Sequence, residues 1–476
     1  MIPADLRVWT DEVDKLGQLL RLNGAHWDLE IGALTEAFSR ETKDRPCVLF
    51  DHIPGYPAGH RVMSGMLTTL PRLALTTGMP LDIRPVQFVQ EWRRRMHALA
   101  PIPPVVVSRG PVMENEIAGE GIDLFQFPAP RWHEEDGGRY IGTASLVITK
   151  DPDSDWVNVG TYRIMVHDKD VLGLHISPGH HGRIHRDKYF ARGEPCPVAI
   201  SFGQDPLLFI MAALPMPPGV CEYNIAGAMR GEPVEVIRGE VTGLPLPAQA
   251  EIVIEGFSYP SESRMEGPFG EFSGYYASKE KSEPFVRVKR VLHRNNPIIT
   301  GAPPSRPPSD TTLFRSLGSS AMVWENLEKA GVPDIQGVWR HEAAHWAFTV
   351  VSIKQRYPGH ARQAGLLASQ VEGGAEMGRY VVVVDDDIDP SNTNDVIWAM
   401  STRADPERSV EILHRCWSAP LDPALPPWQR DLNSRLILDA CKPYEWLAEF
   451  PKEAAVSPEL REQVLQKWGA YIQGRG

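Results

Sequence analysis

Runs of β-branched and aromatic residues alternate with turn residues through the middle of the chain, between residues 116 and 300. Short strand-like runs at fairly regular intervals are typical of an antiparallel barrel or sandwich. The predicted strands cover 143–149, 157–166, 198–202, 234–241, 251–255, 286–292 and Ile298–Thr300. We therefore expect a β domain with inserted helices in this part of the chain.

The segments on either side mix helical and strand-like runs. At the N-terminal end, Cys47 begins a short buried strand and residues 86–99 have helical spacing. Toward the C-terminal end, strands and helices alternate, which indicates a βαβ layer. The predicted elements there are a helix at 312–330, a strand at Phe348–Ile353, a helix at 361–369, a strand at 380–384 and a final helix at Pro458–Ile472. The final helix is amphipathic, and it is expected to pack on its own domain or to reach a partner subunit.

Proline-rich stretches divide the chain into three parts. A chain of 476 residues exceeds what one ordinary core accommodates, and the stretches at 101–104 and 305–309 have the composition of linkers. We predict an α+β protein with an N-terminal mixed α/β domain over 1–115, a β-rich domain over 116–300 and a C-terminal domain over 301–476.

Composition narrows the range of partners and compartments. The net charge of −12 and the isoelectric point near 5.7 argue against a nucleic-acid partner, because such binding depends on clustered Lys and Arg. No uncharged apolar run is long enough to span a bilayer, and residues 1–7 lack the apolar core of a signal peptide. The five scattered cysteines form no C-x-x-C pair and fit reduced thiols. We expect a cytoplasmic protein without a membrane or nucleic-acid partner.

Two carboxylates flank a tight turn within residues 264–276. Glu266 and Glu271 stand five residues apart, and the two glycines and the proline between them exclude a regular helix. A turn can aim both acids at one point, where a nearby guanidinium keeps one ionised while the other retains a proton to donate. Such an arrangement suits general acid catalysis. The alternative is a surface turn whose acids are solvated.

Three further stretches carry polar residues in β-rich or turn surroundings. Asn158 and Arg163 lie in a strand-like run with a local bend, where Arg163 needs a carboxylate partner, either in a site or in a structural ion pair. Four histidines at 175–185 surround a Pro-Gly turn and offer a metal ligand or a phosphate contact, unless they are solvated. An apolar, proline-rich loop at 211–224 leaves backbone amides for an anion and contains Glu222. Asn, His and Glu together favour Mn²⁺ or Mg²⁺ over a thiolate zinc site.

A competing metal motif occurs nearer the C-terminus. His341, Glu342 and His345 match H-E-x-x-H, in which two histidines one helical turn apart bind zinc and the glutamate activates water. The motif runs into a strand-like run at 349–353, although the zinc site needs a long helix, and no third ligand follows at the metzincin spacing. A zinc hydrolase is therefore the remote alternative.

Several of these motifs occur together and in order, and the chain from about 116 to about 440 resembles the UbiD family of decarboxylases, which use prenylated flavin mononucleotide. The motifs that carry the resemblance include Gly-Pro-Phe-Gly-Glu at 267–271, Ser-Ile-Lys-Gln-Arg-Tyr-Pro-Gly-His-Ala at 352–361 and Asp-Asp-Asp-Ile-Asp at 385–389. The resemblance implies a central split β-barrel that binds the flavin. It also implies a C-terminal αβα domain that mediates self-association as a homodimer or homohexamer. A non-catalytic flavin-binding or assembly protein on the same barrel is the alternative, and such a protein need not keep the two acids and the arginine together.

The resemblance also assigns residues to roles. Arg163, Glu266 and Glu271 look like the family's catalytic set, in which Glu271 donates the proton and the Arg163–Glu266 pair orients substrate and cofactor. The implied ligands of the divalent ion that clamps the cofactor phosphate are Asn158, His180 (or His181) and Glu222, with K⁺ beside Glu222. Further cofactor contacts are implied at Leu214, Pro215 and Arg362, where many members have a lysine in place of the arginine, and a substrate pocket at Phe314, Leu436 and Leu438.

On this resemblance the substrate is an aromatic, heteroaromatic or α,β-unsaturated carboxylic acid, and the reaction runs in either direction depending on CO₂. Phe314 favours a flat acid, since aromatic faces stack. A separate flavin prenyltransferase is the implied source of the cofactor.

Overall fold

The N-terminal segment is a small mixed sheet covered by helices. The computed structural model of the protein describes residues 2–345 and 347–472. Leu6, Trp9 and Val13 form the buried side of the first helix, at the spacing of one helical face. The predicted strand at Cys47 and the predicted helix at 86–99 are both confirmed. The elements are α1 (Leu6–Lys15), β1 (Leu19–Asn23), α2 (Glu30–Glu41), β2 (Cys47–Asp51), β3 (Arg61–Ser64), α3 (Leu70–Thr77), α4 (Pro85–Ala98) and β4 (Val105–Val106).

The middle of the chain contains one antiparallel sheet of ten strands. Its elements and their neighbours are β5 (Asn115–Ala118), β6 (Arg139–Gly142), β7 (Leu146–Lys150), β8 (Val157–Gly160), β9 (Ile164–Asp168), β10 (Val171–Gly173), α5 (His181–Ala191), β11 (Cys196–Phe202), α6 (Pro206–Ala213), α7 (Glu222–Arg230), β12 (Glu235–Arg238), β13 (Pro245–Pro247), β14 (Ile252–Ser258), β15 (Ser263–Glu266), β16 (Lys281–His293) and β17 (Ile298–Thr300). Eight strands lie in the order β6-β9-β10-β16-β14-β11-β7-β8, and β5 and β15 both pair with β16. The pairings are antiparallel, as the regular short runs predicted.

The sheet curls because two strands near its ends are tied together. β8 and β9 stand six positions apart in the strand order, which corresponds to about 29 Å in a flat sheet. Only residues 161–163 link them, and a link of that length spans at most about 14 Å. The sheet therefore forms a split half-barrel, as predicted, and the link 161–163 crosses its opening. The predicted single run at 157–166 is two strands separated by this bend.

Two predicted strands have partners outside the half-barrel. Ile298–Thr300 pairs in parallel with β3 of the N-terminal sheet. The run at 234–241 contains β12, which pairs with β13 and β4 in a separate three-stranded sheet. The prediction that both runs belong to the barrel was wrong. Local composition identifies an extended run, but the partner of a strand depends on packing against distant segments.

The C-terminal segment is a five-stranded sheet between helices, which confirms the predicted βαβ layer. The strand order is β18-β19-β20-β22-β21, and β20 is parallel to both of its neighbours. Because successive side chains alternate, Val381 and Val383 of β20 pack with the core under α8 and α9, whereas Val382 and Val384 pack with α10. The elements are α8 (Thr312–Lys329), β18 (Ile335–Arg340), β19 (Phe348–Ile353), α9 (His360–Ala368), β20 (Tyr380–Asp385), α10 (Thr393–Arg403), α11 (Pro406–Ser409), β21 (Val410–Trp417), β22 (Leu432–Asp439) and α12 (Pro458–Ile472).

The terminal helix α12 has the predicted bounds but exposes its apolar side. Leu460, Val464, Leu465 and Trp468 are between 42% and 48% exposed. The expectation that this helix packs on its own domain is therefore not met within the described residues. No helix of the described chain combines the length and the apolar character needed to cross a membrane. All five cysteines are unbridged, as predicted.

Candidate active site

Arg163, Glu266 and Glu271 meet at the opening of the half-barrel. Arg163 lies in the link between β8 and β9, Glu266 ends β15, and Glu271 lies in the loop that follows β15. The guanidinium binds Glu266 through two hydrogen bonds, from Nε to Oε1 at 2.9 Å and from Nη2 to Oε2 at 2.7 Å. Its Nη1 lies 3.4 Å from Oε1 of Glu271. The two carboxylates therefore converge on one arginine, as the turn predicted.

The pair of Arg163 and Glu266 is buried and strongly hydrogen-bonded. The side chains of Glu266 and Arg163 are 1% and 11% exposed. Burial opposes the charge of Arg163, but the carboxylate and the hydrogen bonds of Glu266 outweigh it and raise the pKa of the guanidinium. The hydroxyl of Tyr140 donates a further hydrogen bond of 3.0 Å to Glu266 Oε1, and burial, followed by the charge of Glu266, raises the pKa of Tyr140. Glu266 thus accepts three hydrogen bonds that hold it in place.

Aromatic rings support this arginine from one side. The guanidinium carbon of Arg163 lies 5.5 Å from the ring centroid of Phe269, and the rings of Phe269 and Tyr140 are 3.9 Å apart between centroids. A planar guanidinium stacks well on such a surface. The orientation of Arg163 is therefore set by both a bidentate carboxylate and a ring face.

A histidine stands behind the carboxylate of Glu266. Nδ1 of His175 lies 3.0 Å from Oε1 of Glu283 and 4.0 Å from Oε2 of Glu266. The backbone of His175 also forms an isolated bridge with Arg163. His175 belongs to the histidine-rich stretch of the sequence, and it is the member that lies next to Arg163 and Glu266.

A second polar cluster surrounds the hydroxyl of Tyr162, in the same link. Nδ2 of Asn158 lies 3.4 Å from this hydroxyl, and the backbone N–H of Gly182 donates to it at 3.2 Å. The ring of His180 packs edge-on against Tyr162, with centroids 5.8 Å apart. Oε2 of Glu222 accepts a hydrogen bond of 2.7 Å from the N–H of Val159, next to Asn158. Asn158 and His180 thus share contacts with Tyr162, and Glu222 binds the backbone of the residue next to Asn158.

The two candidate histidines differ in their surroundings. Nδ1 of His180 lies 3.2 Å from the carbonyl oxygen of Ser177, which leaves Nε2 with a lone pair when Nδ1 carries the proton. His180 is exposed at the surface, yet desolvation by the neighbouring residues lowers the pKa of its ring, and the pKa of His181 is lowered in the same way, so the neutral imidazole is favoured at both positions. His181 instead packs edge-on against Trp156, with ring centroids 4.7 Å apart. This geometry favours His180 as the ligand.

The donor set fits a hard or borderline divalent ion. Glu222 is 4% exposed, and burial raises the pKa of its carboxyl to about 7, so a cation beside it would offset the cost of its charge. An amide oxygen, an imidazole nitrogen and a carboxylate oxygen suit Mn²⁺ or Mg²⁺. Within the described chain no three His, Cys, Asp or Glu side chains are grouped to hold a metal. The cluster therefore depends on the amide of Asn158 as its third member.

The remaining predicted contacts lie away from these two clusters. Pro215 is exposed, and Leu214 packs against α8, where a Cβ on Gly318 would lie 2.8 Å from it. Arg362 forms an ion pair with Glu411 at 2.9 Å, and its side chain is 61% exposed. These three positions show no contact with the catalytic set in the described structure, and their cofactor roles stay predictions.

The residues expected to form the substrate pocket pack within the hydrophobic cores of the protein. Phe314 is 3% exposed, and its ring packs edge-on against Phe209 at 5.7 Å. Leu436 and Leu438 belong to the small core between β20, β22 and α10. Side-chain alternation along β22 turns them away from the α8–α9 side of the sheet, which holds Ile437. Phe314 and Leu438 are buried and Leu436 is partly buried, and their role in a substrate pocket stays a prediction.

The H-E-x-x-H motif does not form a helical zinc site. Glu342–Ala344 is a single turn of 3-10 helix between β18 and β19, and His345 follows it at φ 53°. The zinc motif needs both histidines on one face of an α-helix. Nε2 of His341 instead lies 3.1 Å from the carbonyl oxygen of Pro390. The zinc-hydrolase alternative was therefore wrong.

Sequence reasoning missed three aromatic residues that shape the two clusters. Phe269 lies inside the Gly-Pro-Phe-Gly-Glu motif and Tyr162 lies beside Arg163, so their sequence neighbours could have identified both. Tyr140 had none, because it reaches Glu266 only through the pairing of β6 with β9.

Comparison with known proteins decides the family. Three domains described as parts of 3-octaprenyl-4-hydroxybenzoate carboxy-lyase match in succession: the N-terminal domain over residues 10–92, the Rift-related domain over 105–307 and the C-terminal domain over 312–440. The chain belongs to the UbiD carboxy-lyase family. As a UbiD carboxy-lyase it is an enzyme, so the alternative of a non-catalytic flavin-binding protein is not retained.

Relatives within the UbiD family are similar over nearly their whole length. A phenolic acid decarboxylase of Bacillus subtilis is 34% identical over 93% of both chains. A pyrrole-2-carboxylic acid decarboxylase of Pseudomonas aeruginosa is 32% identical over 98% of both.

Solved structures of UbiD enzymes share the fold. Vanillic acid decarboxylase of Sedimentibacter hydroxybenzoicus in its open form matches with a TM-score of 0.88 at 31% identity, covering 98% of this chain and 99% of that one. The same enzyme in its closed form matches at 0.81, again at 31% identity and with the same coverage. A UbiD-class enzyme of Pelotomaculum thermopropionicum in complex with FMN matches at 0.87 and 28% identity, covering 98% of this chain and 100% of that one.

Proposed function

We propose that this protein catalyses the reversible, non-oxidative decarboxylation of an aromatic, heteroaromatic or α,β-unsaturated carboxylic acid with prenylated FMN. The observation that carries the proposal is the convergence of Glu266 and Glu271 on Arg163 at the opening of the half-barrel. The names of the relatives, which include phenolic and pyrrole-2-carboxylic acid decarboxylases, support an aromatic acid as substrate.

Arg163 orients the substrate carboxylate. Two of its hydrogen-bond directions are occupied by Glu266, so the remaining Nη1 side faces Glu271 and the opening. The buried carboxylate of Glu266, the hydroxyl of Tyr140 and the ring of Phe269 keep the guanidinium in this position. A prepositioned charge of this kind lowers the entropic cost of placing the reacting bond.

Loss of CO₂ from an sp² carbon leaves an electron pair that no protein side chain can delocalise, and bound prenylated FMN supplies the electron sink. Asn158, His180 and Glu222 would hold the divalent ion, Mn²⁺ or Mg²⁺, that binds the cofactor phosphate, with K⁺ beside Glu222. Leu214, Pro215 and Arg362 are the further cofactor contacts that the family resemblance implies.

Glu271 supplies the proton that replaces CO₂. After the bond to the carboxylate has broken and CO₂ has left, the carboxyl of Glu271 transfers its proton to the carbon that carried the carboxylate. Glu271 is left ionised beside Arg163. Its side chain is 14% exposed, so it regains a proton from solvent once the product leaves. In the reverse direction the same group removes the proton.

The test is to produce the protein together with a flavin prenyltransferase, record its absorption spectrum, and screen acids for CO₂ release. We expect a flavin spectrum and activity toward at least one aromatic or heteroaromatic acid. We also expect treatment with a metal chelator, or the variant Asn158→Ala, to weaken FMN binding by about tenfold or more. A cofactor-loaded protein that releases no CO₂ from any such acid would overturn the proposal.

The partners follow from the same proposal. They are the acid and CO₂, the prenyltransferase that supplies the cofactor, and further copies of the chain in a homodimer or homohexamer. We place this activity in the cytoplasm, consistent with the five unbridged cysteines.

A further inference from the structure

The loop that carries Glu271 is held at two points by the C-terminal segment. The ring of Phe272, the next residue, has its centroid 4.8 Å from that of His345, in the turn between β18 and β19. At the far end of the loop, Nη1 of Arg430 donates a hydrogen bond of 2.7 Å to the carbonyl oxygen of Ala277. Arg430 lies in the connection between β21 and β22. The C-terminal sheet therefore reaches both ends of the segment that presents the proton donor.

Ser278, next to Ala277, connects this segment to the acid. Its Oγ donates a hydrogen bond of 2.7 Å to Oε1 of Glu271. Nη1 of Arg163 approaches the same oxygen at 3.4 Å. Among the described residues no donor reaches Oε2. A protonated carboxyl has one O–H donor and keeps acceptor capacity on its other oxygen, and because both contacts are to Oε1, we take Oε2 as the oxygen that carries the proton.

The segment between these contacts is closely packed. The N–H of Gly274 donates a hydrogen bond of 2.8 Å to the carbonyl oxygen of Glu271, which closes a turn. Gly274 has φ 80°, and a Cβ there would lie 2.6 Å from Cα of Arg306. Such a turn cannot slide without breaking its own bonds, so a displacement of Ala277 is passed on to Ser278 and Glu271.

We propose that Ser278 is a positioning residue for Glu271, and that Arg430 couples the place of the C-terminal segment to this pair. Ser278 holds Oε1 at its own hydroxyl and so leaves Oε2 as the oxygen that presents the proton. When Arg430 holds Ala277, the acid stands in its donating position; when Arg430 withdraws, the Ser278–Glu271 pair loses its anchor. The inference rests on the proposed role of Glu271 as proton donor.

The first experiment compares Ser278→Ala with Ser273→Ala in the enzyme loaded with prenylated FMN. Ser273 lies in the same loop, and its buried Oγ has no hydrogen-bond partner among the described residues. We expect Ser278→Ala to lower kcat by roughly tenfold, since the hydrogen bond that positions the acid is lost, while KM changes less than about twofold. Ser278→Thr, which keeps the hydroxyl, should recover most of the activity. Equal effects of the two alanine variants, or an unchanged kcat in Ser278→Ala, would overturn the proposal.

The second experiment needs no activity. Arg430→Met keeps the side-chain stem and removes the donor to Ala277, and hydrogen–deuterium exchange of the cofactor-free protein reports on the backbone of residues 271–278. We expect faster exchange there than in the parent, and a lower kcat in the loaded variant at equal flavin absorbance. Faster exchange in Arg430→Met, together with a loaded parent that releases no CO₂ from any acid tested, would support the coupling and refute the proposed function. Unchanged exchange in Arg430→Met would refute the coupling whatever the activity.

Discussion

Arg163 carries one positive charge and contacts two carboxylates, so only one of the two negative charges is neutralised. The two carboxylates differ in burial, and this difference indicates which one pairs with Arg163. Glu266 is almost fully covered and bonded to both Arg163 and Tyr140, whereas Glu271 is partly exposed and reaches Arg163 by one longer contact. In the proposed mechanism the first carboxylate therefore holds the arginine, and the second transfers the proton. The different burial of two neighbouring acids separates their roles.

The variant Glu266→Gln tests this division at the level of stability. Removing one charge of this buried pair leaves Arg163 with only its longer contact to Glu271, and we expect the free energy of unfolding to fall by about 3 kcal/mol in urea titrations. Glu262→Gln is the matched control, because Glu262 binds Arg287 through two hydrogen bonds of 2.9 Å but both side chains are about a third or more exposed. Similar losses of stability in the two variants would show that the buried Arg163–Glu266 pair contributes no more than an exposed ion pair.

His185 gives a pH-dependent prediction. Its side chain is fully buried, Nε2 has no hydrogen-bond partner in the described structure, and burial lowers the pKa to about 4. Between pH 6.5 and 4 the unfolded state therefore binds a proton at His185 that the folded state does not bind. The stability that the neutral ring contributes is present above pH 6.5 and is lost as the pH falls toward 4. We expect a loss of about 3 kcal/mol in the free energy of unfolding across that range.

The measurement is urea unfolding of the cofactor-free protein at several pH values, for the parent and His185→Gln. The variant should show a smaller dependence on pH between 4 and 6.5. The exposed His52→Gln variant controls for the loss of a histidine elsewhere on the chain. An unchanged pH dependence in His185→Gln would contradict the argument.

The residues of the candidate site could be predicted where they lie in short sequence motifs. Arg163, Glu266 and Glu271 lie in motifs that can be read along the chain, and the structure brings them together. Tyr140 and Ser278 escaped notice because each contributes one hydrogen bond from a position fixed by strand pairing or by a loop turn. A single tyrosine or serine in sequence carries no such information.

At the level of elements, the hydrophobic pattern predicted where helices and strands occur better than it predicted which strands pair. The helix expected at 312–330 is α8, and the strand expected at Phe348–Ile353 is β19 with the same bounds, since both patterns are local. The partner of Ile298–Thr300 was missed, because a parallel pairing with β3 joins segments more than two hundred residues apart. The H-E-x-x-H motif failed for a related reason: its residues were right for a helix, but the strands around it leave room for one turn.

The contact of α2 with the loop after residue 130 gives a prediction at this scale. A Cβ on Gly32 would lie 1.8 Å from the carbonyl oxygen of Trp132, and the backbone there cannot yield as a side chain does. We expect Gly32→Ala to lower the free energy of unfolding by about 2 kcal/mol or more. At Gly121 a Cβ meets only a side-chain carbon of Ile117, at 3.5 Å, so Gly121→Ala is the control. Equal stability of the two variants in thermal or urea unfolding would show that α2 does not approach the loop so closely.

On the scale of the whole molecule, the C-terminal segment has two surfaces that bear on function. Its inner side contacts the loop of Glu271 through Phe272–His345 and Arg430–Ala277. Its outer side carries α12, whose apolar residues are exposed. Because burial of apolar area drives association, we expect α12 to contact another copy of the chain.

Removal of residues 458–476 tests this assignment. We expect the parent to form a homo-oligomer and the truncated chain to form a smaller species, as measured by light scattering after size-exclusion chromatography. The variant Val464→Asp is a second test that leaves the chain length unchanged, because it places a charge within the apolar side of α12. An unchanged oligomeric state in both variants would exclude α12 from the interface.

The central claim is that Arg163, Glu266 and Glu271 form one proton-donating unit in an aromatic acid decarboxylase. Its most direct measurement is the rate of CO₂ release by the parent and by Glu271→Gln, each loaded with prenylated FMN to the same absorbance. The account predicts that the variant keeps its cofactor and its stability but loses activity by about 100-fold or more, because a general acid is missing. Release of CO₂ by Glu271→Gln at a rate within about twofold of the parent would contradict it.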